Sequence, residues 1–234
     1  MATLMNISLC ITTYQRYDLL LESFQHVLNN PRITEIIIVD DCSLPEYWKK
    51  IEQLPKLNDK IKVYRQAANR GMSRNKADAI AYASNEWVII LDSDNVIDDR
   101  YLVGLDAIEN PVKDLIYMPS FAWPNFDYRG WAGSVYFKSS AAALVWQDTF
   151  NMLLNTCNFF VNRDEYARVY QENPAHRASD TIWMNYLWLK AGNGFYVVPD
   201  CTYFHRVHDG SGFMEQAAYN MAQAENVRKL ISEL

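Results

Sequence analysis

Neither GxGxxG nor GxxxxGKS/T occurs in these 234 residues. Phosphate cradling by a glycine loop is therefore not among the ways this chain could hold a nucleotide. Surplus positive charge is missing as well: 22 Lys and Arg face 28 Asp and Glu, for a net charge of -6. That balance argues against a protein that grips nucleic acid through its surface field, and no nucleic-acid partner is expected. The cysteines Cys10, Cys42, Cys157 and Cys201 form no CxxC or zinc spacing. Free thiols in a reducing, cytoplasmic compartment are the expectation. No apolar run reaches the ~18 residues of a membrane span. No cationic stretch followed by an apolar one opens the chain, so neither a transmembrane segment nor a secretion signal is expected. Repeats, low-complexity tracts and linker-like stretches are also lacking. What is present is apolar: 50% of the residues are hydrophobic, enough for one large core. The 14% that are aromatic suit stacking on bases or sugars as well as packing.

Strand and helix signals alternate through the first 110 residues. Strands are predicted over 7–13, 35–39, 61–65 and 87–91, and helices over 17–28, 45–54, 73–83 and 98–108. This alternation predicts an α/β fold with a mostly parallel central sheet flanked by helices. Beyond Pro111 the pattern changes, with strands expected over 115–118, 134–137 and 195–198 and helices over 162–170, 179–190 and 213–230. The segment 119–133, rich in Pro, Trp and Gly, reads as a long functional loop. A single domain with a parallel first half and a mixed second half is the expectation.

The densest chemistry lies in Trp87-Val-Ile-Ile-Leu-Asp-Ser-Asp-Asn95. Val88 to Leu91 are continuously apolar, as in a strand covered on both faces. Asp92 and Asp94 follow where that strand leaves the sheet. Two neighbouring buried carboxylates need a cation. A divalent metal is the economical answer, and it implies a ligand with negative oxygens. The competing reading is that Asp92 or Asp94 caps a helix starting near Asp98. The other strand exits are Thr12-Thr13-Tyr14, Asp40-Asp41 and, after the third strand, Asn69-Arg70-Gly71. Parallel α/β sheets bind ligands beyond the carboxyl ends of their strands, where strand order reverses. The four exits should thus converge on one acidic crevice. A nucleoside diphosphate there would be neutralised by metal and by Arg70 or Arg74.

Taken in order, Ile7-Ser-Leu-Cys-Ile-Thr-Thr-Tyr-Gln-Arg16, Ile38-Val-Asp-Asp-Cys-Ser43, Asn69-Arg-Gly-Met-Ser-Arg-Asn75 and Leu91-Asp-Ser-Asp-Asn95 resemble the successive motifs of family 2 glycosyltransferases with the GT-A fold. The resemblance extends over nearly the whole chain. It implies a GT-A, Rossmann-like single domain over 1–234, with 1–110 the nucleotide-binding half and 111–234 the acceptor and catalytic half. By the same likeness Thr12, Tyr14 and Asp41 hold the base. A carboxylate accepting N3–H of uracil would select UDP, or dTDP, over a guanine nucleotide. Arg74 could reach the nucleotide or its phosphates, whereas Asn69 and Gly71 shape the turn. Asp94 becomes the direct metal ligand, with Asp92 bridging to ribose or to metal-bound water. His205-Arg-Val-His-Asp-Gly-Ser211 resembles the family's late Arg-x-His-x-x-Ser segment, which puts His208 forward as a ligand rather than His205. One His with carboxylate and phosphate oxygens suits Mn²⁺, or Mg²⁺ less well. Ala178-Ser-Asp-Thr-Ile-Trp-Met-Asn-Tyr-Leu-Trp188 resembles the Glu-Asp motif at the head of a helix, with Ser179 in place of the Glu. Asp180 is then the general base, and direct displacement implies inversion.

Each of these residues has a structural alternative. Asp40 and Asp41 suit turn chemistry before Pro45, Thr12 a strand, Tyr14 packing at the sheet edge and Arg74 a solvated helix face. His205 or His208 could be an ordinary surface imidazole, and Ser179 or Asp180 a helix N-cap. Trp123, Asp127, Tyr128 and Trp131 could form an acceptor platform or belong to the core. Asn158-Phe-Phe-Val-Asn-Arg163 resembles the segment that precedes the base, without assigned roles. The expected function is inverting, metal-dependent transfer from a nucleotide diphospho-sugar, UDP-linked, to a hydroxyl of a glycan or glycoconjugate acceptor. Two alternatives stand beside it. A sugar nucleotidyltransferase would want a glycine-bearing loop after the first strand, where Thr12 to Arg16 has none. An inactive nucleotide-sugar- or glycan-binding module is left open by Ser179.

Overall fold

The computed structural model of the chain describes residues 5–176, 179–208, 214 and 217–234. In the first half β1 (Ile7–Thr13), β2 (Ile33–Asp40), β3 (Ile61–Arg65) and β4 (Trp87–Asp92) alternate with α1 (Tyr17–Phe24), α2 (Pro45–Ile51), α3 (Met72–Tyr82) and α4 (Asp99–Asp106). The second half comprises β5 (Leu115–Trp123), β6 (Phe126–Asp127), β7 (Val135–Tyr136), α5 (Lys138–Leu144), α6 (Asp148–Leu153), β8 (Phe160–Asn162), α7 (Arg163–Val169), α8 (Asp180–Lys190), β9 (Gly194–Phe204) and α9 (Ala217–Ser232). Among the described residues all strands join one sheet of order β3-β2-β1-β4-β8-β5-β9-β7, with β6 paired to β5. The chain is a single α/β domain with a mixed central sheet. β3, β2, β1 and β4 run parallel, β8 is antiparallel to β4 and β5, and β9 is parallel to β5.

Burial explains the parallel half. Every residue of β1 is buried, as are Trp87 to Leu91 of β4, because helices cover the sheet. Strand order moves outward from β1 through β2 to β3 and then returns to β1's other edge with β4. The reversal therefore lies between β1 and β4, at their carboxyl ends.

Several expectations need correction. The helix predicted over 17–28 ends at Phe24, and tighter bonds (Val27 N–H to Phe24 O, 3.0 Å; Asn30 N–H to Val27 O, 3.0 Å) carry the chain onward. Part of the supposed loop 119–133 is strand: β5 continues to Trp123 and turns back through β6. β9 likewise runs past Val198 to Phe204. Proline argues against a strand interior, but the β5–β9 ladder shifts register between Pro119 and Phe121. That irregularity also takes in Pro199 and Asp200, the latter at φ 57°. The short α5, α6 and β8 lie where no element was predicted. The start predicted for the terminal helix, at residue 213, lies outside the described residues, and the helix described is Ala217–Ser232. Among the described residues no helix is long and apolar enough to cross a membrane.

Candidate active site

The last residues of β1 bring the strand exits together. Thr12 is in register with Asp92 on one side, and Thr13 with Asp40 on the other. Asp41 N–H donates to Thr13 O (2.9 Å) and Ser93 N–H to Thr12 O (3.3 Å). The Asp40-Asp41 and Asp92-Ser93-Asp94 turns thus flank the same strand end. Asp40 is fully buried and accepts the Ser43 backbone N–H (2.9 Å) and the Ser43 hydroxyl, with Arg65 at 3.6 Å. It closes its own turn. Asp41 accepts the backbone N–H groups of Arg70 (2.7 Å) and Gly71 (2.9 Å), anchoring the loop that leads into α3. Gly71 sits at φ 85°, a conformation that favours glycine.

Asp94 lies at the centre of a charged cluster. Its Oδ2 accepts from Arg16 Nη1 at 2.7 Å and lies 3.1 Å from His208 Nε2. The chain brings in so distant a histidine by zipping two segments together. Val96 pairs with Phe204 at the end of β9, and Arg206 N–H donates to Asn95 Oδ1 at 3.1 Å. His205 turns elsewhere: its Nδ1 meets Asn125 Oδ1 at 3.0 Å and its ring stands edge-on to Phe126. Burial lowers its pKa. The cap of α4 is Asp98, whose side chain accepts the Arg100 N–H at 2.9 Å, so neither Asp92 nor Asp94 is needed to start that helix.

Asp92 and Asp180 share a cation that the sequence reading passed over. Lys76 Nζ, from the inward face of α3, lies 3.1 Å from Asp92 Oδ1 and 2.9 Å from Asp180 Oδ2. Burial works against the Lys76 ammonium, but the two carboxylates hold its pKa well above the ordinary value. Burial pushes Asp180 up, with Lys76 opposing and Asp92 adding to the rise. Burial acts on Asp92 in the same sense, yet Lys76, the Cys157 thiol hydrogen bond and Arg16 hold it below its usual range. Asp92 N–H donates to Asn158 Oδ1 at 3.0 Å, which fixes the strand exit from the side of β8. Ser179 is the N-cap residue of α8 but makes no capping hydrogen bond, and its hydroxyl instead meets His176 Nδ1 at 2.9 Å.

The remaining candidates are more dispersed. Thr12 is buried and Tyr14 exposed at the same strand exit. Arg74 Nε donates to Asp78 Oδ1 at 2.9 Å and its Nη1 stands 3.6 Å from Glu172. With Asn69, Arg70 and Ser73 it lines a pocket of about 210 Å³ beside the loop that Asp41 anchors. The aromatic group divides. Tyr128 is core, with its hydroxyl accepting from Thr156 at 2.9 Å, and Trp131 packs on Phe150 and Tyr136. Asp127 pairs with Arg129, and Trp123 remains exposed against Phe204.

The model of the family described as "Glycosyl transferase family 2" matches residues 8–185, which span every strand exit and Asp180. The chain belongs to glycosyltransferase family 2. As a glycosyltransferase it is 22% identical over 210 residues to the teichuronic acid biosynthesis glycosyltransferase TuaG of Bacillus subtilis (strain 168), covering 88% of this chain and 80% of TuaG. Among solved structures it resembles S. aureus TarS 1-349 in complex with UDP-GlcNAc at TM-score 0.70 and 16% identity, over 97% of this chain and 65% of that one. GalNAc-T7 with UDP, GalNAc and Mn²⁺ matches at TM-score 0.65 and 16% identity, over 86% of this chain and 43% of that one. These likenesses establish the GT-A fold of the transferase.

Among the described residues no group of three or more His, Cys, Asp or Glu side chains is arranged to hold a metal ion. The transferase offers a pair, Asp94 and His208, in mutual contact. One carboxylate and one imidazole fit a divalent ion whose other ligands are phosphate oxygens. Lys76 and Arg16 are the site residues that sequence reasoning missed. Lys76 could have been found as a charge in step with Ser73, Ala79 and Ile80 on the buried face of α3. Arg16 stands inside the first quoted motif, but nothing local announces its contact with Asp94.

Proposed function

We propose that the chain is an inverting, metal-dependent glycosyltransferase that moves a sugar from a UDP-sugar to a hydroxyl of a glycan or glycoconjugate acceptor. The observation that carries this reading is the convergence of Asp92, Asp94 and Asp180 on one strand exit, with Lys76, Arg16 and His208 among them. A UDP-linked donor is supported by the UDP-GlcNAc complex of TarS, and a divalent ion by the Mn²⁺ of GalNAc-T7. Residues 1–110 serve as the nucleotide-binding half and 111–234 as the acceptor half. Four free cysteines accord with a cytoplasmic location.

In this reading Thr12, Tyr14 and Asp41 receive the base, and Arg74 stands by the nucleotide from the first turn of α3. Asp92 receives the ribose or a bound water. Asp94 and His208 would hold Mn²⁺, or Mg²⁺, which when bound would supply positive charge for the departing diphosphate. Asp180 accepts the proton of the acceptor hydroxyl as that oxygen attacks the anomeric carbon, and one carboxylate opposite the leaving group suffices for inversion. Burial of Asp180 suits the role, because a raised pKa makes the carboxylate a stronger base.

The test is release of nucleotide from a panel of labelled UDP-, dTDP- and GDP-sugars, with Mn²⁺ and with chelator, followed by NMR of the product's anomeric configuration. Metal-dependent release of UDP with inverted product is expected. Retained configuration, or turnover indifferent to chelation, contradicts the proposal.

A further inference from the structure

We propose that Lys76 is a positioning residue for transfer: its ammonium ties the acceptor base Asp180 to the donor-side carboxylate Asp92 and supplies the charge against which Asp180 stays ionised. This rests on Asp180 as the base. A lysine is an unusual tenant of a helix's inward face. Lys76 is only 4% exposed, in company with Ser73, Ala79 and Ile80, and a buried ammonium is costly unless paired. Here it is paired twice, with Asp92 Oδ1 at 3.1 Å and Asp180 Oδ2 at 2.9 Å. Those partners arrive from separate elements, the exit of β4 and the first turn of α8, and α3 supplies the group that joins them.

Among the described residues, the titratable groups facing Asp180 are Lys76 from α3, Asp92 from the end of β4, Cys157 ahead of β8 and Tyr166 on α7. Of these four only Lys76 is cationic. Asp92 and burial both favour the protonated form of Asp180, which cannot accept a proton from an acceptor. One ammonium against two carboxylates leaves the pair with a net negative charge. Removing it should push the base further towards protonation.

Binding and geometry also meet in this residue. Whatever engages Asp92 on the donor side is connected through one side chain to the group that deprotonates the acceptor. A lysine that merely fastened α3 to its neighbours would affect stability without touching the pH response of turnover.

The experiment compares K76M, K76R and D180N in the full chain, reading kcat against pH with the UDP-sugar that the wild type turns over. UDP binding with Mn²⁺ is measured by calorimetry alongside. In K76M the acid limb of kcat should move up by about one pH unit or more. Below that limb kcat should fall by roughly tenfold per unit of displacement, while UDP binding changes far less. K76R should keep the limb near its wild-type place. Should K76M fail to fold, K76Q gives the same reading with a polar, uncharged side chain. An unmoved acid limb in K76M or K76Q, with D180N inactive, overturns the role of Lys76 and leaves the base standing. Turnover retained by D180N overturns the base itself.

Discussion

Replacing Arg16 with Met should make the nucleotide-free protein bind Mn²⁺ more tightly. Arg16 Nη1 lies 2.7 Å from Asp94 Oδ2, with the two side chains 21% and 13% exposed. Hydrogen bonds to charged groups contribute about 1.5–3 kcal/mol, and partial exposure reduces this to about 1–2 kcal/mol. An incoming cation that uses Asp94 must displace that contact and work against the guanidinium charge. Deleting the arginine head removes both costs, so the Mn²⁺ dissociation constant should fall by roughly 5- to 30-fold. Met keeps much of the aliphatic bulk, so the change reports charge more than packing. Free Mn²⁺ counted by electron paramagnetic resonance during titration measures it directly. With UDP present the gain should shrink, because a guanidinium 2.7 Å from Asp94 would also attract the diphosphate that shares the metal. Equal or weaker Mn²⁺ binding by R16M, without nucleotide, would refute Asp94 as the shared partner of arginine and metal.

Further expectations concern the same carboxylates and the scaffold. UDP and Mn²⁺ at a hundredfold excess over the dissociation constant should stabilise the wild type by about 2.7 kcal/mol. For a domain near this size that is a rise of roughly 5–10 °C in Tm. D94A should lose this rise, and a thermal shift equal to the wild type's would count against it. D180N should bind UDP normally and lose roughly 10²- to 10⁴-fold in kcat. Burial raises the pKa of Asp180, so its active, deprotonated form is lost as pH falls through a value above the usual aspartate range. The acid limb of the wild-type kcat profile should lie there, and a limb at the ordinary aspartate position would contradict it. Gly104 of α4 lies so close to β9 that a Cβ would stand 2.6 Å from the Cα of Cys201. G104A should therefore destabilise by about 1–3 kcal/mol in urea unfolding, although helix propensity alone favours Ala by about 1 kcal/mol. Unchanged or improved stability would mean that α4 does not sit directly on that strand.

The parallel half of the fold was legible because its signals are local. Val88 to Leu91 are apolar without interruption and stop at Asp92, and Leu9 to Ile11 stop at Thr12 in the same way. The Pro, Trp and Gly of 119–133 misled the reading of β5, since Pro119 forbids a ladder bond but not a strand that shifts register beside it, and β9 likewise continues past Pro199. The three residues of β8 and the few turns of α5 and α6 are too short to carry a period. Among site residues, Asp92 and Asp94 announce themselves as charges ending a buried run. Arg16 and Lys76 do not, because their meaning lies in partners far along the chain. Lys76 meets Asp180 only once α3 and α8 pack beside β4, and no window of sequence contains both. His208 depends in the same way on the bond between Arg206 and Asn95.

Diffraction at the manganese absorption edge, from crystals grown with UDP and Mn²⁺, tests the central claim most directly. One anomalous peak coordinated by Asp94, His208 and the UDP phosphates is expected, with the uracil beyond the ends of β1 and β2 beside Thr12, Tyr14 and Asp41. UDP seated away from the β1–β4 exit, or bound there with manganese touching neither Asp94 nor His208, would contradict the account.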